Sequence, residues 1–453
     1  MPSMPSQALR WIVRCLIGLF AGMVPCAASA QTATGQTALV ARWLVTDDAP
    51  LAGLSFSPYE DGQGPTFGPP LNDDKVRARL AVIARYTSSI RTFGATAGLE
   101  RIPQMAKDMG LSVAAGAWID ADRAKNEREV NNLISIGLSG AAQTLIVGSE
   151  VLLRGDLSET ELLALIRRVK TAVPHLQITY ADTYNTLAQH PRVMAAVDVV
   201  FANFYPYWEG MNVDDAIAGV NCMHAQIVAL AGGRNVVVSE AGWPSSGNPV
   251  APAAIASDAN AAKFFSSFVS WAKSQRVGYY YFSAFDEAWK RLEQDGIRPG
   301  TNPQEGYWGL WTSAAALKSG RAAALNGVIG HSTLLSGPGK PTIQLSNVPA
   351  RGSFTDLFGR VQHVSPCQCQ VAVYIRVNNL WYTKPFNNAP LTSLALDGTW
   401  RADITTGGVD ERASDIAAFL VPISYLPPIM YGSLSLPDEL QSRSLASVTV
   451  NRP

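Results

Sequence analysis

From about residue 51 onward, short runs of β-branched and aromatic residues alternate with stretches whose apolar residues recur at helical spacing. Eight runs read as strands: 53–57, 89–93, 112–118, 144–148, 177–181, 199–204, 236–239 and 279–284. Between them, Val76, Leu80 and Ile83 share one helical face, as do Ile102, Met105 and Met109, and again Leu162, Leu165, Ile166 and Val169. The last of these helices opens on Ser158-Glu159-Thr160-Glu161, the residue types of a capping box. Eight strand-then-helix units over about 270 residues predict a closed parallel (β/α)₈ TIM barrel. An open doubly wound sheet would call for fewer strands and a Gly-rich first turn.

Past residue 330 the pattern changes. Ser336-Gly337-Pro338-Gly339-Lys340-Pro341 reads as linker. Beyond it, alternating runs such as 370–377 and 446–450, split by turns such as Asp397-Gly398, predict a small all-β, sandwich-like module. The expected organisation is a barrel over 51–330, a linker over 331–341 and the β-module over 342–453.

The N-terminus reads as a secretory signal peptide over 1–30, followed by a loose leader over 31–50. Arg10 and Arg14 precede an apolar run over 15–24, and Ala28-Ser29-Ala30 offers a small-residue cleavage site. The apolar run is too short for a membrane span. The mature chain is therefore expected to be secreted or periplasmic, cut near Ala30, and to keep no stable span. Cys26 raises the question of lipidation, although Pro25 stands where a small residue should precede a lipidated Cys.

Composition narrows the partners. Lys+Arg and Asp+Glu balance at 36 each, so nothing in the net charge draws the chain to nucleic acid or an anionic membrane. A neutral polymer suits it, and eleven Trp supply flat apolar surface. Of five Cys, Cys15 and Cys26 leave with the signal, and Cys222, Cys367 and Cys369 remain, an odd set. Cys367 and Cys369 would point to one face of a strand, too close for an unstrained bridge. The five His lack metal-ligand spacing, and no P-loop, dinucleotide fingerprint or G-x-S-x-G elbow occurs. No metal and no cofactor is expected, and the chain is expected to be a monomer.

In a barrel of this kind, chemistry gathers where strands end. The first strand runs into Tyr59-Glu60, the second holds Arg91, and the third ends on Trp118-Ile119-Asp120. The fourth ends on Ser149-Glu150, the sixth on Asn203-Phe204-Tyr205-Pro206-Tyr207-Trp208, and the seventh on Ser239-Glu240-Ala241-Gly242-Trp243-Pro244. The eighth ends on Asp286-Glu287-Ala288-Trp289-Lys290. Glu150 and Glu240 follow apolar strands nearly opposite one another, so their carboxyl groups can converge. Glycoside hydrolysis needs such a pair, about 5–5.5 Å apart for retention. One must carry a proton while the other stays ionised, and Arg91 is placed to keep Glu240 charged. Sugars present apolar faces with polar edges, which suits Trp208, Trp289, Trp308 and Trp311 on the same rim. Each residue alone has a structural reading: a solvated rim carboxylate, an ion-paired Arg, a packed aromatic. Their coincidence on one rim favours a site.

The segments G-L-S-F-S-P-Y, I-R-T-F-G, V-G-S-E-V-L-L-R-G, F-Y-P-Y-W, V-V-S-E-A-G-W-P, F-D-E-A-W-K and E-G-Y-W-G-L-W, spread over 51–313, resemble bacterial members of glycoside hydrolase family 17. That resemblance implies a retaining β-1,3-glucanase or β-1,3-glucanosyltransferase, with Glu150 at the acid/base position and Glu240 at the nucleophile position. It also implies that Glu287, Lys290 and Glu305 support the acid/base and the donor sugar. Tyr59, Arg91, Ser149, Asn203, Tyr205, Trp243, Trp289 and Trp308 complete the expected substrate-binding set. Ser149 stands where the family carries Asn, a residue expected to bond the 2-hydroxyl of the attacked sugar. Two other readings stay open: a secreted glucan-binding protein without turnover, and a barrel glycosidase for another β-linked polysaccharide. The β-module could offer Trp381, Tyr382 and Trp400 as a sugar platform, or use them for packing.

Overall fold

A computed structural model of the chain describes residues 51–292, 302–326 and 339–453. The signal peptide, the leader and most of the linker lie outside the described residues.

Eight parallel strands close into one barrel: β1 (Leu54–Ser55), β2 (Ser89–Arg91), β3 (Ser112–Ala117), β4 (Thr144–Ser149), β5 (Gln177–Thr183), β6 (Val200–Asn203), β7 (Val236–Ala241) and β8 (Tyr279–Tyr281). Leu54 pairs with Ile90 on one side and Tyr281 on the other, which completes the ring. The helices between them form because their local signals agree. Asn72 caps Asp73–Ile83 by accepting from the Lys75 N–H, and Asp122 does the same for Arg123–Leu138 through Lys125. The capping box at Ser158 and Glu161 is made in both directions. The expected apolar faces are buried: Val76, Leu80 and Ile83 on one helix, Leu162, Ile166 and Val169 on another.

Period-two alternation sorts each strand between two cores. Val113, Leu145, Ile178, Val200, Val238 and Tyr281 pack outward against the helices. Ala114, Ile146, Ala181, Phe201, Val237 and Tyr280 form a small plug inside the barrel. The positions above that plug are polar: Arg91, Ser149, Asn203, Ser239 and Glu240, all buried.

The C-terminal residues build the expected β-sandwich. One sheet joins β9 (Thr342–Asn347), β10 (Leu357–Gln362) and β14 (Thr399–Ala402). The other joins β11 (Cys369–Val377), β12 (Leu380–Lys384), β15 (Asp415–Pro422), β16 (Tyr431–Ser433) and β17 (Ala446–Asn451), with β13 (Leu391–Ser393) paired to β11. Trp400 fills the core with Leu357, Val373 and Ile416, and Trp381 packs on the outer face with Tyr374 and Phe419. Both indoles are buried, so they serve packing rather than an open sugar platform. Gly359 makes this possible, since a Cβ there would stand 2.4 Å from the Trp400 ring.

The module docks on the barrel helix Ala216–Leu230. Arg360 pairs with the fully buried Asp215 at 2.5 Å, and Ala218 joins the module's own core. Among the described residues, no helix is long and apolar enough to cross a membrane.

Candidate active site

Strict alternation would turn Glu240 outward, because Ser239 already faces the lumen. A register shift prevents this. The pairing of β7 with β8 jumps between Val238 and Ala241, and that of β6 with β7 between Ala202 and Asn203. Such bulges insert an extra residue and re-aim side chains at barrel rims. Ser239 and Glu240 consequently both point inward. The fourth strand does the same by another route: its register with β5 shifts between Ile146 and Ser149, and Gly148 takes φ +92°. Glu150 then adopts a left-handed conformation (φ 54°, ψ 30°), costly for a non-glycine residue. Its N–H donates to the Ala181 carbonyl at 2.8 Å, which holds that turn in place.

Asn203 sits between the two carboxylates. Its amide nitrogen donates to Glu150 Oε1 at 2.7 Å and to Glu240 Oε1 at 3.3 Å. The Ser239 hydroxyl donates to Asn203 Oδ1 at 2.6 Å and so fixes which way the amide points. Arg91 Nη1 reaches Glu240 Oε1 at 2.6 Å and the Ser239 carbonyl at 2.7 Å. The Tyr205 hydroxyl donates to Glu240 Oε2 at 2.5 Å. Ser149 Oγ accepts from Arg91 Nη2 at 2.9 Å and lies 3.5 Å from Glu240 Oε1. Ser149 therefore belongs to the Arg91–Glu240 cluster.

The two carboxylates are treated differently. Burial, then the charges of Glu240 and Asp182, push Glu150 up to about 7, against the opposing pull of Asn203 and Arg154. Glu240 is ringed by donors, with a guanidinium on one oxygen and a phenol on the other. Burial lifts the Tyr205 phenol well above its ordinary value, and both glutamates add to that, so it stays a donor.

After β8, the strand next to that of Glu240, Lys290 pairs with Glu287 at 2.7 Å, and Trp289 Nε1 donates to Glu287 Oε1 at 3.2 Å. Burial lowers the Lys290 pKa, but Glu287, Glu305 and Glu240 together raise it above its usual range. Burial raises Glu305, with Lys290 working against it. These three residues thus share one field with the Glu240 carboxylate. Burial and the nearby Glu287 push Tyr59 up to about 12, and its ring meets Trp289 edge-on at 6.0 Å.

Not every expected residue faces the cleft. Trp243 is buried: its indole N–H donates to the Ile255 carbonyl at 2.9 Å, and its ring packs on Tyr207 and Phe264. Trp308 is walled in by Tyr205, Tyr207, Trp208 and Phe282, and Trp311 by Tyr86 and Phe285. All three are buried, and Trp308 lies against the site itself, packed on Tyr205 and within hydrogen-bonding reach of Glu305. Trp118, Trp208 and Trp289 keep partial exposure. Arg154, stacked 4.7 Å over Trp118, also donates to the Ser149 carbonyl at 2.8 Å.

Two contributors went unmarked in the sequence. Behind Glu150, at the end of the fifth strand, the Tyr180 hydroxyl donates to Asp182 and accepts from the Leu152 N–H at 2.9 Å. Burial pushes Asp182 up to about 6, and its charge adds to that on Glu150. A polar residue directly after an apolar strand was the available signal. Among the described residues, no group of three or more His, Cys, Asp or Glu gathers as a metal site would require.

Residues 53–309 match the family described as the BtgE/BtgC glycoside hydrolase domain. The chain belongs to this family. Its relatives include a glucan 1,3-β-glucosidase of Arthroderma benhamiae, 28% identical over 241 residues that make up 50% of this chain and 78% of the relative. A probable glucan endo-1,3-β-glucosidase of Aspergillus fumigatus is 27% identical over 296 residues, or 59% of this chain. There the match spans only 42% of the relative's length. A solved structure, the glycoside hydrolase family 17 β-1,3-glucanosyltransferase of Rhizomucor miehei, superposes with a TM-score of 0.51 at 29% identity. It covers 59% of this chain and 95% of its own. These relatives are fungal; the bacterial grouping rests on the sequence motifs alone.

Proposed function

We propose that this chain is a retaining glycoside hydrolase acting on β-1,3-glucan, with Glu150 as acid/base and Glu240 as nucleophile. The observation that carries the reading is the single amide of Asn203 bonded to both carboxylates. The two bonded oxygens can be no further apart than those two hydrogen bonds laid end to end. That falls short of the roughly 6.5–9.5 Å inverting enzymes need to seat a water, and suits direct attack.

Glu150, protonated near neutrality, gives its proton to the departing glycosidic oxygen. Glu240, held in place by bonds from Arg91 and Tyr205, attacks the anomeric carbon and forms a glycosyl-enzyme ester. Glu150, now a carboxylate, takes a proton from the incoming water or sugar hydroxyl, which opens the ester. Water gives hydrolysis, and a second sugar gives chain transfer. The relatives' names include both activities, as glucosidases and as a glucanosyltransferase. A further solved structure, an active-site mutant of that transferase, holds laminaritriose. Tyr59, Trp289, Glu287, Lys290 and Glu305 bind the donor sugar through its hydroxyls and one ring face. Ser149 keeps Arg91 aimed at Glu240, so its effect on the sugar runs through the nucleophile. We further propose that the chain is exported and that 342–453 form a separately cored module behind 51–330.

Digestion of β-1,3-gluco-oligosaccharides, followed by proton NMR at early times and by chromatography, tests this. The β-anomer should appear first. Shorter products mark hydrolysis, and longer ones transfer. An initial α-anomer would overturn retention, and cleavage of β-1,4 but not β-1,3 oligomers would overturn the linkage.

A further inference from the structure

Cys222 and Cys367 lie 145 positions apart in sequence and meet at the seam between barrel and β-module. Cys222 projects from the barrel helix Ala216–Leu230, and Cys367 from the turn Pro366–Gln368 that leads into β11. Both are thiols. The Cys367 N–H donates to Cys222 Sγ at 3.2 Å. Ser365 Oγ lies between the sulfurs, 3.5 Å from Cys222 Sγ and 3.2 Å from Cys367 Sγ. With an N–Cα bond of about 1.46 Å, Cys222 Sγ stands less than about 4.7 Å from the Cys367 Cα. That separation suits a bridge, and a rotation of the Cys367 side chain toward Cys222 Sγ is the movement that would close an S–S bond of about 2.05 Å.

The two thiols are unequal. Cys222 is buried, and its hydrogen bond to Cys367, then burial, keep it protonated. Cys367 is half-exposed, and the bonds from Cys222 and Ser365 hold its pKa below the usual thiol value despite partial burial. The third thiol is out of play. Cys369 is buried in the module's apolar core beside Val371 and Leu420, and burial pushes it up to about 11.

We infer that Cys222 and Cys367 are a redox site, forming an interdomain disulfide that staples the β-module to the barrel when a disulfide oxidant reaches Cys367. The oxidant is of the glutathione disulfide or dithiol–disulfide oxidase class. The Cys367 thiolate attacks one oxidant sulfur; the oxidant S–S bond breaks, and the leaving thiolate takes up a proton. Cys222 then loses its proton through the Ser365 hydroxyl to solvent and attacks Cys367 Sγ, releasing the oxidant's second sulfur as a thiol. Two chain thiols give up two electrons and two protons, and one oxidant disulfide becomes two thiols. The new bond pins a seam otherwise held by Asp215–Arg360 and by Ala218 in the module's core.

The full chain, treated with glutathione disulfide, alkylated and digested without reduction, should yield a Cys222–Cys367 linked peptide with Cys369 alkylated. The oxidised chain should melt about 5 °C or more above the reduced one, since the bond closes a long loop. Cys367→Ser, at a half-exposed position that spares folding, and Cys222→Ser should each erase that difference. Alkylation of both thiols after oxidant treatment would overturn the inference, as would a Cys367–Cys369 pair or a linked chain with an unchanged melting temperature.

Discussion

At the barrel rim, Arg91, Asn203 and Tyr205 commit hydrogen bonds to the carboxylates of Glu150 and Glu240, and Ser149 accepts from Arg91. In the β-module, the buried Lys384 pairs with Asp410, and Arg452 donates to the carbonyls of Pro349, Ser353, Asp410 and Glu411. Both regions bury a cation against a carboxylate: Arg91 with Glu240 in one, Lys384 with Asp410 in the other. The module's network closes on itself and on backbone. The rim's network ends on Glu150, which is only partly buried. Buried charge alone does not mark a site; what marks it here is a second, partly buried carboxylate that shares the Asn203 amide with Glu240.

Neutralising the two carboxylates should separate their roles. Glu240→Gln keeps an acceptor for Arg91 and so should fold, yet kcat on glucan should fall about 10⁴-fold or more, because the amide cannot attack. Steady-state kinetics with a thermal melt checks both halves; activity within about tenfold of the parent would remove Glu240 from the chemistry.

Glu150→Gln comes next, with a loss of about 10²–10⁴-fold on glucan and a much smaller one on an aryl glycoside whose leaving group needs no proton. The parent's kcat/KM should decline as pH rises through about 7, where Glu150 loses its proton, and the variant should lack that limb. Stability has a definite sign. The folded pKa lies above the ordinary 4.5, so the folded state holds a proton the unfolded chain releases. Stability is therefore lost as pH climbs from about 4.5 to about 7, and Glu150→Gln should abolish that loss in a pH series of melts.

Asp410→Ala tests the other side of the comparison. It leaves Lys384 buried without its carboxylate, which should cost the module's unfolding transition about 3–5 kcal/mol while kcat/KM on short oligomers changes less than about twofold. A large kinetic effect would show that the module feeds the active site. Ser149→Ala should be the mildest change. It removes one acceptor of a charged donor, about 1.5–3 kcal/mol at most, and should lower kcat about threefold to thirtyfold without altering the pH profile.

The eight strands were legible because parallel strands covered on both faces are written as short apolar runs, and the helical runs between them carry their own caps. The rim was legible because polar residues interrupt that pattern at strand ends. What turns those residues inward was not. The shifts at Ser149 and Glu240 are properties of strand pairs, so no single run records them. Tyr180 and Asp182 act from behind Glu150, and a lone Asp after an apolar strand was the only local mark they left. Trp243, Trp308 and Trp311 read the same whether they face a sugar or pack inside, and all three are buried. The seam at Asp215–Arg360 joins residues 145 apart, beyond any local pattern.

The proposed function puts a covalent intermediate on Glu240, beside the amide it shares with Glu150, and trapping it is the most direct test. Incubation with a 2-deoxy-2-fluoroglucosyl fluoride should raise the intact mass by one fluoroglucosyl group, with the label on the peptide that carries Glu240. A label on Glu150 or another carboxylate, or turnover with inversion and no adduct, would contradict it.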